Sequence, residues 1–282
     1  MSLISDPPAW LEHFRPDDAL YADAYESTPA ELRALLKTAI AFSFHRWKPD
    51  REEPLKEIRS LRAGFFHKEA SRPASWVLAM AGTDFASPAR LIAALIPAVI
   101  AGTTRIFLLS PAPFAPAVST ALELAGLEDS FVLDDDRAAD LYEDLRASSA
   151  DGRVIVFPGG DGSLSPGQKD LLHRASIDGI STYRDLSAPK LLSLYPAASS
   201  EASGNLTAED MKARLRWLYP DAVLCDEPSA DVNAVFVPDG VSPQCSAPLT
   251  LGPGMEACWM SLDPEFFRTR TLSAFLVQEN PS

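Results

Sequence analysis

The sequence predicts an α/β protein with a Rossmann-like parallel sheet covered by helices on both faces, a helical N-terminal layer and a second lobe. Two observations predict it. Between Trp76 and Phe157, short apolar runs alternate with helical stretches of ten or more residues, the rhythm of strand–helix–strand units. Those runs are apolar throughout rather than at every second position, as strands buried on both faces are. Right-handed crossovers then lead to a doubly wound topology.

Taken in order, Thr28-Pro29-Ala30-Glu31 reads as a helix start, with a capping hydroxyl, an early proline and a glutamate three residues after the cap. Leu32, Leu36, Ile40, Ser43 and Trp47 follow at helical spacing. The charged segment Lys48–Arg62 reads as a solvated connector or a second helix. Trp76–Met80 is a strand, and Ser87-Pro88 opens a helix that Gly102 closes. Ile106–Leu109 is a buried strand, and the helix near Ala117–Ala125 ends at Gly126. Phe131–Leu133, Arg137–Ala147 and Val154–Phe157 complete the pattern as strand, helix and strand. Beyond Phe157 the chain is irregular until Thr207-Ala208-Glu209-Asp210, which caps a helix through Leu218. Strands are expected at Val223–Cys225 and Ala234–Val237, and the tail Gly252–Val277 is aromatic and strand-rich, suited to pairing with another lobe or subunit. These elements divide the chain into residues 1–70, a helical region, 71–165, the Rossmann-like domain, and 166–282, a second lobe and tail.

Composition narrows the function. With a formal net charge of −14 and no run of Lys or Arg, the chain would repel a phosphate backbone, so no nucleic-acid partner is expected. Three cysteines, Cys225, Cys245 and Cys258, form no tight metal-ligand spacing and read as free thiols of a reducing compartment. The N-terminus lacks the basic start and apolar run of a signal peptide. The apolar region Leu91–Phe114 is broken by Pro97, Gly102 and Arg105. No membrane partner and a cytoplasmic location are therefore expected.

Candidate chemistry is sparse. Gly159, Gly160 and Gly162 follow a strand, where backbone N–H groups cradle anions, but Asp161 opposes a phosphate and a plain turn is the simpler reading. His13, His45, His67 and His173 show no helical pairing and no neighbouring cysteine, so zinc is not expected. Asp134-Asp135-Asp136 precedes a helix and reads as capping. No His or Lys lies near Cys245 or Cys258 to lower a thiol pKa. There is no nucleophile elbow and no Walker A sequence.

Several short motifs nevertheless fall in a familiar order. Ile96-Pro97-Ala98 with Ala101-Gly102, Ser110-Pro111-Ala112-Pro113, Leu122–Phe131, Phe157-Pro158-Gly159-Gly160, Asn233-Ala234-Val235-Phe236, Ser242-Pro243 and Phe266–Thr271 together resemble segments of histidinol dehydrogenase, a relative of the aldehyde dehydrogenase fold. That family oxidises an amino alcohol in two NAD-dependent steps, with zinc holding the substrate. The resemblance implies a base within a Pro-Glu-His triplet, and the matching place reads Pro220-Asp221-Ala222. It implies a Gln-x-x-His pair, which is missing, and a Gly-Asp-Tyr turn, where this chain has Gln244-Cys245-Ser246. No histidine follows His173. By the same matching the family's Tyr, Gln and Asn dinucleotide contacts fall on Ala79, Arg137 and Gly160. The stretch Gly160–Asn233 is much shorter than the family's, so the resemblance implies a reduced, shortened second lobe.

Three functions follow as expectations. The first is a degenerate family member, without histidinol oxidation, acting as a binding or structural module and a homodimer through the helical N-terminus and the C-terminal tail. The second is an NAD(P)-dependent oxidoreductase with a changed substrate, its cofactor at Ser110, Asp134, Arg137, Gly159 and Gly160. The third is a small-molecule-binding protein or transferase on a recycled Rossmann scaffold. A kept cofactor site predicts an open crevice at the strand ends; a structural role predicts that Phe85, Phe157 or the tail fills it.

Overall fold

Strands with no polar face need cover on both sides, and the central sheet obtains it. The computed structural model describes residues 8–47, 55–60, 65–185, 189–194, 206–225, 227, 231–239 and 247–276. Five parallel strands, β3 (Trp76–Ala81), β4 (Ile106–Ser110), β5 (Ser130–Val132), β6 (Gly152–Phe157) and β7 (Ser181–Arg184), lie in the order β5-β4-β3-β6-β7. Every residue of β3, β4 and β6 is buried. The strand pleat sorts them: Val77, Ala79 and Ala81 join one apolar cluster, while Trp76, Leu78 and Met80 join another on the opposite face.

The first cluster is covered by α2 (Ala30–Trp47), α3 (Pro88–Ala101) and α4 (Pro116–Ala125), and the second by α5 (Asp135–Ser148) and α6 (Pro166–Ile177). Gly102 and Gly126, at φ +89° and +64°, end α3 and α4 in the left-handed conformation that a residue bearing a Cβ rarely adopts. α1 (Asp18–Ser27) packs on α4. A second parallel sheet contains β8 (Lys190–Ser193), β9 (Val223–Cys225), β10 (Ala234–Phe236) and β11 (Leu249–Leu251), in the order β11-β10-β8-β9, with α7 (Ala208–Leu218) against it. Leu191, Leu215 and Phe236 belong to the same cluster as α3, so one apolar core runs through both sheets. A third, antiparallel sheet is built from β1 (Leu55–Ser60), β2 (Phe65–Pro73) and β12 (Arg268–Leu276), in the order β1-β2-β12.

The alternating pattern, both C-terminal glycines and the capping box of Thr207 with Asp210 agree with the sequence reading. Three expectations give way. Leu55–Ser60, inside the expected connector or helix, is strand β1, because β2 offers it six residue pairs. The Thr28 hydroxyl donates to Ala24 O at 2.8 Å and meets Thr120 Oγ1 at 2.9 Å instead of capping α2, since the end of α1 supplies the nearer acceptor. Ser87 likewise makes no side-chain cap for α3; its hydroxyl donates to Leu218 O at 2.7 Å, on α7. The tail pairs with β2 through β12. Ser242-Pro243, the Gln244–Ser246 turn and with it Cys245 lie outside the described residues.

Candidate functional site at the carboxyl edge of the sheet

In an open parallel sheet, ligands bind beyond the carboxyl ends of the strands, where the winding direction reverses. Here β3, first in the chain, lies between β4 and β6, so the reversal falls between β3 and β6. That crevice is closed by the protein's own groups. A Cβ on Gly82 would come within 2.4 Å of Gly159 N and 2.7 Å of its Cα, so the loops after β3 and β6 touch backbone to backbone. On one face, Phe85 and Phe157 stack at a ring separation of 4.6 Å, 6% and 0% exposed. On the other face, the buried Gln168 amide donates to Met80 O at 3.2 Å and to Phe157 O at 3.0 Å. It thereby satisfies carbonyls at the ends of both strands.

The five residues expected to hold a cofactor all lie along this edge, and Ser110, Asp134, Arg137 and Gly159 are hydrogen-bonded within the protein. Ser110 is buried at the end of β4; its carbonyl accepts Leu133 N at 2.9 Å and its hydroxyl lies 3.4 Å from Ala112 N. This sets Ser110 beside Asp134, whose Oδ1 accepts Arg137 N at 2.8 Å as the N-cap of α5. The Arg137 guanidinium turns outward, 52% exposed, 3.4 Å from Asp140 and 5.7 Å from the Trp10 ring centre. The glycine loop bonds to itself: Gly159 N donates to Ser163 O at 3.1 Å, Gly162 N to Gly159 O at 2.8 Å, and Ser163 N to Asp161 Oδ1 at 2.8 Å. The Ser163 hydrogen bonds hold the Asp161 carboxyl below its ordinary range, so a second anion here would meet a charged carboxylate. Gly160 lies against Asp84. The amino end of α6 is occupied too: Asp135 accepts Gly167 N at 3.0 Å, filling the position where a helix dipole attracts an anion.

Beside the crevice, at the amino end of α3, a buried ionic group escaped the sequence reading. Arg90 is fully buried; its Nε donates to Asp185 Oδ2 at 2.7 Å, and its Nη1 pairs with Asp221. Asp185 follows β7 and Asp221 follows α7, so the group joins the two parallel sheets. A cation at the positive end of a helix is unfavourable by itself, and the two carboxylates offset that cost. Ser261 Oγ lies 2.9 Å from the Tyr183 hydroxyl and 3.5 Å from Asp185 Oδ1, adding the C-terminal segment. Burial raises the pKa of Tyr183 and, more strongly, that of Tyr219, keeping both phenols neutral. A signal existed: Arg90 is the one charge in the apolar stretch Pro88–Ala101, and Ser165-x-x-Gln168 is a capping-box pattern.

No protein-family model and no curated protein matches this chain. Among solved structures, a histidinol dehydrogenase from Elizabethkingia anophelis superposes with a TM-score of 0.53 at 11% identity, covering 93% of this chain and 77% of that one. An NAD-dependent benzaldehyde dehydrogenase from Corynebacterium glutamicum (TM-score 0.35, 12% identity) covers 79% of this chain and 55% of its own. A lactaldehyde dehydrogenase from Escherichia coli (0.37, 12%) covers 78% and 47%. The first of these likenesses supports a dehydrogenase-like α/β fold, and at this identity it speaks for the fold alone.

Proposed function

We propose that this chain is a histidinol-dehydrogenase-like protein acting as a binding or structural module, without histidinol oxidation. The observation that carries this reading is the closed crevice: Gly82 against Gly159, Phe85 on Phe157, and Gln168 across the ends of β3 and β6. A dinucleotide bound there would have to break backbone packing and an aromatic stack. The sequence lacks the Gln-x-x-His pair that holds zinc in the resembled family, and among the described residues no three His, Cys, Asp or Glu side chains come together as a metal site. Asp221, at the place matched to that family's Pro-Glu-His triplet, is engaged with Arg90.

The test is a titration with NAD⁺, NADH, NADP⁺ and NADPH followed by thermal shift and nicotinamide fluorescence, with zinc measured on the same sample. The expected result is no saturable shift at millimolar dinucleotide and substoichiometric zinc. Saturable stabilisation by one dinucleotide would replace this reading with an NAD(P)-dependent oxidoreductase of changed substrate, working through Ser110, Asp134, Arg137, Gly159 and Gly160.

The same reading includes a homodimer formed through the antiparallel sheet. Supporting it, β12 is an edge strand whose Leu272, Phe275 and Leu276 are 68%, 56% and 72% exposed. Its run Thr271–Leu276 contains no proline and no charge, the protections that edge strands normally carry.

A further inference from the structure

Away from the closed crevice, α1 packs along α4 and leaves a groove of about 450 Å³ lined by Pro113 and Phe114, just after β4, and by Val132, the last residue of β5. This is within the range of small-molecule sites and at the sheet edge where such sites occur. Its walls are Leu20, Pro113, Phe114 and Pro116, with Ser119 at the side and Asp23 as its charged lining residue. The walls are held in place without a ligand. The Tyr21 hydroxyl lies 2.5 Å from Ser130 Oγ, tying α1 to β5, and Thr28 meets Thr120 at 2.9 Å, tying the end of α1 to α4. Two prolines fix the backbone of the opposite wall. A slot shaped in advance loses little entropy when it is filled. Ser119, 6% exposed, also lines the groove and supplies a hydroxyl-bearing side chain to its wall.

The lining also selects the charge. No Lys or Arg lines the groove, Asp23 stands in it, and the chain carries −14 overall. The amino end of α4, which lacks a side-chain cap, is the one feature favouring an anion. It is a partial charge facing a full carboxylate. We propose that this groove is a binding site for a small planar aromatic molecule, neutral or cationic, that stacks on Phe114 and the prolines and hydrogen-bonds Ser119. The site is separate from the β3–β6 crevice, so the dinucleotide titration does not bear on it.

Three probes sharing one ring decide it by ligand-observed NMR: indole, tryptamine and indole-3-acetate. Indole and tryptamine are expected to bind saturably, tryptamine about threefold tighter because Asp23 is exposed and screened, and indole-3-acetate most weakly. Asp23→Asn removes the preference for tryptamine, and Leu20→Ala, at an exposed wall position, weakens both ligands about threefold while the protein stays folded. No saturable binding up to about 10 mM, tightest binding by indole-3-acetate, or affinities unchanged in both variants would overturn the proposal.

Discussion

At the scale of single residues, side chains that chemistry could have used are spent on packing. Cys258 is the clearest case. It is 2% exposed, and burial, with the nearby Glu256 carboxylate, pushes its thiol up to about 12. The folded state therefore holds this proton at a pH where the unfolded chain has released it. Stability from this group is intact below the unfolded value near pH 9 and falls as pH rises from 9 towards 12, at about 1.4 kcal/mol per unit. Denaturant melts from pH 8 to 11 should show that decline in the native chain and a shallower one in Cys258→Ala. Ellman's reagent at pH 8 should leave Cys258 unmodified until the protein unfolds; rapid reaction in the folded state would contradict the assignment. The lack of an activating cation beside this cysteine was legible in the sequence. The place of Gln168 was not, since its partners Met80 and Phe157 are brought to it only by sheet pairing.

At the scale of elements, α3 shows how far a helix can be read in advance. Its proline start, apolar length and glycine end are local signals, and all appear in the structure. The contacts at its amino end are not local: Ser87 reaches Leu218 and Arg90 reaches Asp185 and Asp221, roughly a hundred residues or more away. Arg90→Met should cost about 3–5 kcal/mol, because it leaves Asp185 buried without its countercharge. Asp221→Asn, with 12% side-chain exposure against none at Asp185, should cost less. Equilibrium urea unfolding of both variants measures this, and equal losses would mean that burial does not set the cost. The candidate cofactor residues divide in the same way. Asp134 as a cap was visible from its run of carboxylates, whereas the outward turn of Arg137 depends on Trp10, which approaches from the N-terminal segment.

For the whole molecule, charge and exposure separate the antiparallel sheet from the body. Its three strands contain six basic and two acidic residues, in a chain of net charge −14. Phe66 and Phe275 stack across it at 6.1 Å. If β12 pairs with its copy, the double variant Leu272→Lys/Phe275→Glu should sediment as a monomer with unchanged helical circular dichroism, while the native chain sediments with twice that mass. A native chain that stays monomeric at about 50 µM, well above the dissociation constants of stable dimers, would remove the homodimer from the proposal.

The sequence alone determined the strand–helix alternation, the helix ends at Gly102 and Gly126 and the capping box at Thr207, because each depends on residues within a turn or two of one another. Only the tertiary structure decided that the crevice is filled, that Arg90 is neutralised, and that Leu55–Ser60 is a strand. Whether a cavity is open depends on which distant side chains occupy the same few ångströms, and whether a charged segment becomes a strand depends on a pairing partner. Neither is a property of a stretch of sequence. The excluded volume and unpaired hydrogen bonds that settle them exist once the chain has closed on itself.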